Sequence, residues 1–305
     1  MSSKSKRFRE LLERDGLVIR IGVYDALTAV LAEKAGFELL GTTGYGISAT
    51  MLGQPDVGLV SFREMCDRVR NIARAVSVPV CADSDTGYGN AINVYRTVKE
   101  MIWAGAAGLF IEDQVWPKRC GHMFGKQIIS TGEMVGKIKA AIDARDEEDP
   151  DFVVGARTDA IGVAGIDEAI KRGKAYAEAG ADFIYIEAPR TIEEVKRAVK
   201  EIPAPISFNI IVGGKVPYFP LDELEAIGVK MVSFPLDALY AATKAIMDVY
   251  AKIKERRPPQ EWEKDVIDWR EFNNLIGYPR IKEMEKKYLP EEMLKKMYGD
   301  KFEEM

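Results

Sequence analysis

Three acidic residues at the ends of two apolar segments are the first candidates for chemistry in this chain. Asp83 and Asp85 end the segment from Ser77 to Asp85, and Glu112 ends the segment from Trp103 to Asp113. Residues two apart on an extended chain point to the same side, so Asp83 and Asp85 should face the same space. Carboxylates ~4 Å apart repel by ~4 kcal/mol at an effective dielectric constant near ~20, so the group needs a cation or shared protons. Ligands that are all oxygen favour Mg²⁺ or Mn²⁺ over zinc.

A second set of reactive residue types follows in the motif KRCGH. Lys118, Arg119, Cys120 and His122, the only histidine of the chain, lie within five residues. Neighbouring cations should lower the pKa of a thiol from its usual ~8.5. We therefore expect Cys120 to ionise easily and to act as a proton donor or a nucleophile.

Together the two sets favour carbon–carbon cleavage over hydrolysis. A Cys and His pair alone would suggest a hydrolase or an acyl transferase. The metal-binding acids indicate instead a substrate that chelates a cation and develops negative charge on oxygen, which a nearby thiol can then protonate. Arg157, at the end of another apolar segment, offers the paired donors that bind a carboxylate. The expected partner is a small-molecule carboxylate substrate.

Eight short apolar segments must position these side chains. Four of them follow a helix that ends in a small residue and a glycine, at Gly36, Gly105, Gly180 and Gly228, which suits the left-handed C-cap of a helix. Three others follow a proline, and the first runs from Leu17 to Asp25. All are continuous apolar runs, as is typical of parallel strands covered on both faces.

Eight such units in about 250 residues predict an α/β fold of the (β/α)8 TIM-barrel type, whose active sites lie at the carboxyl ends of the strands. A doubly wound sheet is the alternative, but no glycine-rich dinucleotide turn follows the first strand. We assign residues 1–250 to the catalytic barrel. Residues 251–305 are rich in charge and proline, and we expect them to form a C-terminal helical extension because they are too few for a core of their own.

Composition narrows the class of partner. The chain has 43 Lys plus Arg against 48 Asp plus Glu, so it has no basic field to attract nucleic acid. No apolar run reaches the ~18 to 20 residues of a membrane-spanning helix. Three cysteines are an odd number and a poor disulfide framework, which favours a reducing compartment. We expect a cytoplasmic enzyme without nucleic-acid or membrane partners.

Six motifs resemble those of the isocitrate lyase and phosphoenolpyruvate mutase superfamily, and the resemblance extends from about Arg7 to Tyr250. The motifs are TTGYG at 42–46, LGQPDVG at 52–58, ADSDTGYG at 82–89, IEDQ at 111–114, KRCGHMFGK at 118–126 and ARTDA at 156–160. The resemblance implies a (β/α)8 barrel whose last helix is exchanged between subunits, normally in a homotetramer built from two dimers.

The resemblance also implies a metal site and a catalytic loop. Mg²⁺ would be bound by Asp85, with Asp83, Asp56 and Glu112 reaching it directly or through water. The loop from Lys118 to His122 would close over the substrate as a lid.

Catalytic and substrate-binding roles are implied in the same way. Cys120 would be the general acid, and Lys118, His122 and Tyr45 would complete the catalytic set. The base that removes the substrate's hydroxyl proton stays open between Tyr45, His122 and a water on Glu112. The implied substrate-binding residues are Thr43, Gly44, Tyr45, Gly121, Arg157, Glu187 and Asn209.

The motifs also bear on the substrate. Members that cleave carbon–carbon bonds carry the Cys of KRCGH or KKCGH, whereas phosphonopyruvate hydrolases and phosphoenolpyruvate mutases lack it, so the resemblance implies a lyase. Both similar lyase groups carry a Glu at the position of Val212. We expect cleavage of a substituted 2-hydroxy dicarboxylate or tricarboxylate, of the 2-methylisocitrate or 2,3-dimethylmalate type, to pyruvate and a second carboxylate. The alternatives are an oxaloacetate decarboxylase or another enzyme of 2-keto acids, and a non-catalytic barrel that senses a chelated acid.

Overall fold

The computed structural model describes residues 3–299 of the chain. They form two compact units that divide between Tyr240 and Ala241. In the first unit eight parallel strands close into a barrel in chain order, with helices flanking it, which confirms the predicted (β/α)8 TIM barrel. The strands are β1 (Val18–Val23), β2 (Leu39–Thr42), β3 (Val80–Asp83), β4 (Gly108–Glu112), β5 (Val153–Thr158), β6 (Phe183–Ile186), β7 (Ile206–Asn209) and β8 (Met231–Phe234). Each lies within a segment predicted from the sequence.

Among the described residues, ten helices belong to the first unit, an eleventh crosses the division, and three belong to the second unit. They are α1 (Lys4–Glu13), α2 (Ala26–Lys34), α3 (Gly44–Leu52), α4 (Phe62–Ala75), α5 (Ala91–Ala104), α6 (Thr131–Glu148), α7 (Ile161–Ala164), α8 (Ile166–Glu178), α9 (Ile192–Glu201), α10 (Leu221–Ile227), α11 (Asp237–Lys254), α12 (Trp269–Leu275), α13 (Tyr278–Tyr288) and α14 (Glu291–Tyr298). Within the described residues, none of the helices is both long enough and apolar enough to span a membrane.

Local sequence signals explain where these helices begin and end. Ser61 caps α4 and exchanges hydrogen bonds with Glu64, three residues further on. Gly105 and Gly228 end α5 and α10 with φ values of 93° and 94°, in the left-handed region that side chains avoid. Gly105 and Gly228 are thus C-caps as predicted, whereas Gly36 and Gly180, which also have positive φ, each follow the C-cap by one residue, after Ala35 and Ala179.

The parallel register brings the carboxyl ends of the strands together. Glu112 on β4 pairs directly with Arg157 on β5, and Asn209 on β7 pairs with Ser233 on β8. Every residue of β4 and β5 is buried, as expected for strands with the barrel interior on one side and helices on the other. The side chains that end the strands therefore share one enclosed space.

The second unit, from Ala241 onward, consists of the remainder of α11 and the three helices α12 to α14, with two single turns of 3₁₀ helix at Pro259–Glu261 and Glu263–Asp265. The extension expected over 251–305 is helical as far as it is described, and residues 300–305 lie outside the described residues. The predicted domain boundary after Tyr250 falls within α11 and stays a prediction.

Candidate active site

A cavity of about 50 Å³ lies at the carboxyl ends of the strands. It can hold roughly three to five water molecules, which is the size of a small organic acid. The predicted site residues that line it are Thr43, Tyr45, Asp56, Asp83, Lys118, Cys120, Gly121, His122, Arg157, Glu187 and Asn209. The other three predicted residues, Gly44, Asp85 and Glu112, do not line the cavity. Each of them contacts a residue that does line it.

Asp83 and Asp85 converge, although not for the expected reason. Asp83 is the last residue of β3, whereas Asp85 lies in the following turn with a left-handed φ of 48°. The turn lets the Asp85 N–H donate to Asp83 Oδ1 at 3.1 Å, and the Gly44 N–H donates to Asp83 Oδ2 at 3.0 Å. The expectation that both acids alternate along one extended strand is therefore wrong, because the strand ends at the first of them.

Lys118 inserts its ammonium group among these acids. Lys118 Nζ donates to Asp56 Oδ2 at 2.6 Å and lies 2.7 Å from Asp85 Oδ1, and its side chain is 4% exposed. Burial alone would lower the pKa of Lys118, but the carboxylates of Asp85 and Asp56 outweigh burial and raise the pKa well above its ordinary value. Lys118 is therefore a buried, permanently charged group.

The expected three-carboxylate metal cluster is not preassembled. Among residues 3–299, no three His, Cys, Asp or Glu side chains lie in an arrangement that could hold a metal ion. The physical reason is that the Lys118 ammonium occupies the space between Asp56 and Asp85.

The donor set nevertheless suits a hard divalent cation. Glu112 Oε1 is buried without a hydrogen-bond partner, and buried Asp85 Oδ1 is in contact with Lys118 Nζ at 2.7 Å. Burial raises the pKa of Asp85 to about 6 and raises the pKa of Glu112 well above its ordinary range. A buried carboxylate oxygen without a partner, with further carboxylates beside it, is the kind of ligand that Mg²⁺ and Mn²⁺ prefer.

Cys120 does not have the acidic thiol that its neighbours in sequence suggest. Burial raises the pKa of Cys120 to about 11, and the carboxylates of Glu187 and Asp56 act in the same direction. The expectation was wrong because the side chain of Arg119 is exposed to solvent and Lys118 is already paired with carboxylates. At neutral pH the thiol keeps its proton, which suits a general acid and not a thiolate nucleophile.

His122 is held by a hydrogen bond at Nδ1, and its Nε2 faces Glu187. The Lys215 N–H donates to His122 Nδ1 at 2.9 Å, and His122 Nε2 lies 3.3 Å from Glu187 Oε1. A Cβ at Gly214 would lie 2.7 Å from Nδ1, so the glycine permits this close approach. Because Nδ1 already accepts a hydrogen bond, its lone pair is not free to act as a base.

Arg157 is oriented by three carboxylates. Arg157 Nε and Nη2 donate to the two oxygens of Asp159 at 2.9 and 3.1 Å. Arg157 also lies 3.3 Å from Glu112 Oε2 and 3.5 Å from Glu187 Oε2. Burial would raise the pKa of Asp159, but Arg157 and Lys126 outweigh it and lower the pKa to about 2. The guanidinium is thus fixed at the cavity wall.

Gly121 lets the loop lie directly on this arginine. A Cβ at Gly121 would come within 2.1 Å of Glu187 Oε1 and 2.4 Å of Arg157 Nη2. Lys126 Nζ holds the loop in place by donating to Gly121 O at 2.6 Å and to Asp159 Oδ1 at 2.7 Å. The loop that carries Cys120 therefore lines the cavity, and its closure over a substrate stays a prediction.

Tyr45 and Thr43 flank the start of α3. Thr43 Oγ1 caps the helix by accepting from the Gly46 N–H at 3.2 Å. Burial, and then the neighbouring Tyr45 hydroxyl, raise the pKa of Tyr240 to about 12, so the two tyrosines lie side by side. Tyr45 thus has a phenolic partner at the cavity wall.

Four residues at the site were not assigned a role from the sequence: Arg20, Lys126, Asp159 and Tyr185. Arg20 carried a signal, since it is a lone charge in the middle of the apolar run LVIRIGV. Asp159 ends a strand segment and Lys126 ends the KRCGHMFGK motif, so position alone could have indicated both. Tyr185 has no distinguishing sequence feature within its apolar strand.

Comparison with known proteins identifies the family of this chain. A family model described as phosphoenolpyruvate phosphomutase matches residues 8–254. The chain is 47% identical over 282 residues to the 2,3-dimethylmalate lyase of Eubacterium barkeri, covering 92% of this chain and 97% of the relative. It is 43% identical to the 2-methylisocitrate lyase of Aeropyrum pernix, covering 88% and 86%. The structure of a phosphonopyruvate hydrolase with oxalate and Mg²⁺ matches with a TM-score of 0.86 at 33% identity, over 95% and 100% of the two chains. The superfamily resemblance of the motifs is thereby confirmed.

Proposed function

Because the chain belongs to the phosphoenolpyruvate phosphomutase family and is a carbon–carbon lyase, we propose that it cleaves a substituted 2-hydroxy dicarboxylate or tricarboxylate into pyruvate and a second carboxylate. The substrate would be of the 2,3-dimethylmalate or 2-methylisocitrate type, the acids for which two relatives are named. One observation carries the proposal: the thiol of Cys120, whose pKa is raised by burial, lines the same small cavity as the guanidinium of Arg157, which Asp159 holds in place.

The chain's own residues can hold such an acid on two sides. Arg157 and Asn209 would bind its carboxylate oxygens, and the backbone amides at the start of α3, from Thr43 to Tyr45, would add further donors. Gly121, which lies close to Arg157 and Glu187, and the rest of the loop would exclude water above the substrate. Exclusion of water strengthens every charge interaction in the cavity.

A divalent cation, Mg²⁺ or Mn²⁺, is part of the proposal. Asp85, Asp83, Glu112 and Asp56 would hold it, and the unpartnered buried oxygen of Glu112 supports this assignment. When bound, such an ion supplies Lewis-acid stabilisation of negative charge on substrate oxygens. The Mg²⁺ in the matching phosphonopyruvate hydrolase structure supports the choice of ion.

The proton transfers can be assigned to side chains of the cavity. A base takes the proton of the C2 hydroxyl, and the oxygen's electron pair forms the carbonyl of pyruvate as the C2–C3 bond breaks. The electrons of that bond pass to C3 and its carboxylate, and Cys120 Sγ–H then protonates C3. Tyr45 or a water on Glu112 would be the base, since His122 Nδ1 already accepts a hydrogen bond. No organic cofactor is required.

A coupled pyruvate assay tests the proposal. The purified chain is given 2,3-dimethylmalate, 2-methylisocitrate, isocitrate or oxaloacetate, with Mg²⁺ and with a chelator. We expect pyruvate from a substituted acid, only with the metal. Cys120→Ser should lower turnover ~10²- to 10⁴-fold, whereas Cys66→Ala, in the core outside the cavity, should not.

Turnover of oxaloacetate alone, unaffected by Cys120→Ser, would favour the decarboxylase alternative. Release of no pyruvate from any acid would favour the non-catalytic barrel.

The homotetramer implied by the resemblance is also a proposal. It is supported by a stripe of large apolar side chains on α11, Ile246, Met247, Tyr250 and Ile253, which are 49 to 68% exposed. Apolar patches of this kind mark contact surfaces. Light scattering should give the mass of four chains, and Met247→Glu should reduce it. The cytoplasmic location stays a prediction.

A further inference from the structure

Arg20 is a buried guanidinium inside the barrel, on β1. It is 3% exposed, and its strand position is in register with Ser233 on β8. The side chain reaches across the interior, so that its Cζ lies 5.0 Å from the ring centroid of Phe110 and 5.2 Å from that of Tyr185. The charge of Arg20 therefore lies within the barrel, one layer below the strand ends.

Within residues 3–299 Arg20 forms no ion pair with a carboxylate. Its Nε donates to Ser233 Oγ at 2.8 Å and its Nη1 to Cys81 Sγ at 3.6 Å, which occupies two of the five guanidinium donors. Charged side chains are almost never fully buried without a partner, because removal from water costs several kcal/mol. Contacts with aromatic faces offset only part of this cost. The arrangement leaves donors for an anion.

The surrounding strands are built to admit this side chain. A Cβ at Gly41, on the neighbouring strand β2, would lie 3.0 Å from Arg20 Cδ and 3.1 Å from Arg20 Cγ, so the glycine leaves the space that the arginine fills. Arg20 lines the same cavity as Cys120. Arg20 and Arg157 both lie against the aromatic ring of Tyr185, and the Cζ of Arg157 is 5.4 Å from the centroid of this ring. Two guanidinium groups thus face one cavity, and only Arg157 is paired with carboxylates.

We propose that Arg20 is a specificity-determining residue that binds a carboxylate of the substrate from the floor of the cavity. The inference deepens the proposed function and rests on it for the identity of the substrate. Arg157 and the start of α3 bind one end of the acid, and Arg20 binds a second carboxylate that points into the barrel. The cavity of about 50 Å³ between them selects compact acids with two carboxylates.

Titration calorimetry with simple dicarboxylates tests the assignment without requiring turnover. Oxalate, malonate and succinate are titrated, with Mg²⁺ present, into the wild type, Arg20→Met and Arg20→Lys. Loss of a charge-assisted hydrogen bond should weaken binding of at least one acid about tenfold or more in Arg20→Met. Arg20→Lys keeps the charge and should restore part of the affinity. Arg9→Met is the matched control, because Arg9 pairs with Asp182 and does not line the cavity.

The outcomes separate this inference from the proposed function. Arg20→Met should fold, since apolar replacement of a buried charge is often neutral or stabilising, and its melting temperature will show this. Where Arg20→Met is unstable, the comparison of Arg20→Lys with the wild type carries the test, and a loss of at least threefold for one acid is expected. If every acid binds the stable variants within threefold of the wild type, Arg20 is structural and the inference is wrong, even if pyruvate is released. If affinity falls but no substrate yields pyruvate, the inference holds and the proposed function fails.

Discussion

Lys118 Nζ lies 2.7 Å from Asp85 Oδ1, so a cation carried by the loop over the cavity lies against the carboxylate that follows β3. The same ammonium donates to Asp56 Oδ2 at 2.6 Å. Both acids belong to the group that would hold a divalent cation. The position of the loop and the charge of the acidic group are therefore coupled through one side chain.

This pair leads to a prediction about metal affinity. Lys118→Met removes a positive charge that competes with a divalent cation for Asp85 and Asp56. Charges ~4 Å apart interact by ~4 kcal/mol at an effective dielectric constant near ~20, so Mn²⁺ should bind at least about tenfold more tightly. Calorimetric or paramagnetic titration with Mn²⁺ measures the change. Lys99→Met is the control, because Lys99 pairs with Glu147 on the surface. Unchanged or weaker Mn²⁺ binding in Lys118→Met would contradict the competition.

The thiol of Cys120 should titrate far above neutral pH. Its pKa is raised to about 11 by burial, so the protonated form dominates at pH 7 and the thiolate appears only as the pH rises towards 11. The difference in ultraviolet thiolate absorbance between the wild type and Cys120→Ser measures this titration. An inflection below pH 8 would show that the loop's cations control the thiol after all.

The same shift has a consequence for stability. An unfolded chain releases the thiol proton near ~pH 8.5, before the folded protein does. Because the folded state then binds more protons, the free energy of unfolding should fall as the pH rises from ~8.5 towards 11. This fall in the free energy of unfolding should be smaller in Cys120→Ser, which lacks the thiol. Urea denaturation of the wild type and of the variant over this pH range measures the difference.

Gly121→Ala should displace the loop without unfolding the barrel. The new Cβ would lie 2.1 Å from Glu187 Oε1, a distance that real contacts do not reach, so the loop must move off the cavity. We expect activity to fall at least about 100-fold, since displaced catalytic groups are costly. Limited proteolysis after Lys118 or Arg119 should become faster. Gly132→Ala is the matched control, because no atom lies within 4 Å of its added Cβ. Equal activity in the two variants would argue against a closed loop.

Asp113 should be among the most costly acids to remove, although it lies outside the cavity. Its Oδ2 accepts from Thr158 Oγ1 at 2.8 Å, from the Tyr176 hydroxyl at 2.8 Å and from Arg172 Nη1 at 3.0 Å. Asp113→Ala leaves Arg172 buried without this partner, which should lower the free energy of unfolding by ~3 to 5 kcal/mol.

Urea denaturation measures this loss. The control is Asp146→Ala, since Asp146 is exposed and pairs with Arg145 at the surface, where an ion pair contributes ~0 to 1 kcal/mol. Similar losses in the two variants would mean that the buried network does not support the strand ends.

The barrel was predictable because its signals are local. Each apolar run, each proline before a strand and each glycine such as Gly105 at a helix end acts within a few residues. Helix caps such as Ser61 with Glu64 work over the same short range. Eight repeats of such signals leave little choice of architecture, and the convergence of polar side chains at the strand ends follows from parallel pairing.

The sequence by itself therefore determined the fold, the membership of most of the site and the family. Only the tertiary structure decided the partners of each charge. Lys118 and Arg119 are neighbours in the chain, yet one is buried between carboxylates and the other is exposed, so neither offsets the burial that raises the pKa of Cys120. Arg20 donates a hydrogen bond to Ser233, which lies 213 residues further along the chain. Electrostatic energy depends on distance and burial in space, and neither quantity can be read from the order of residues along the chain.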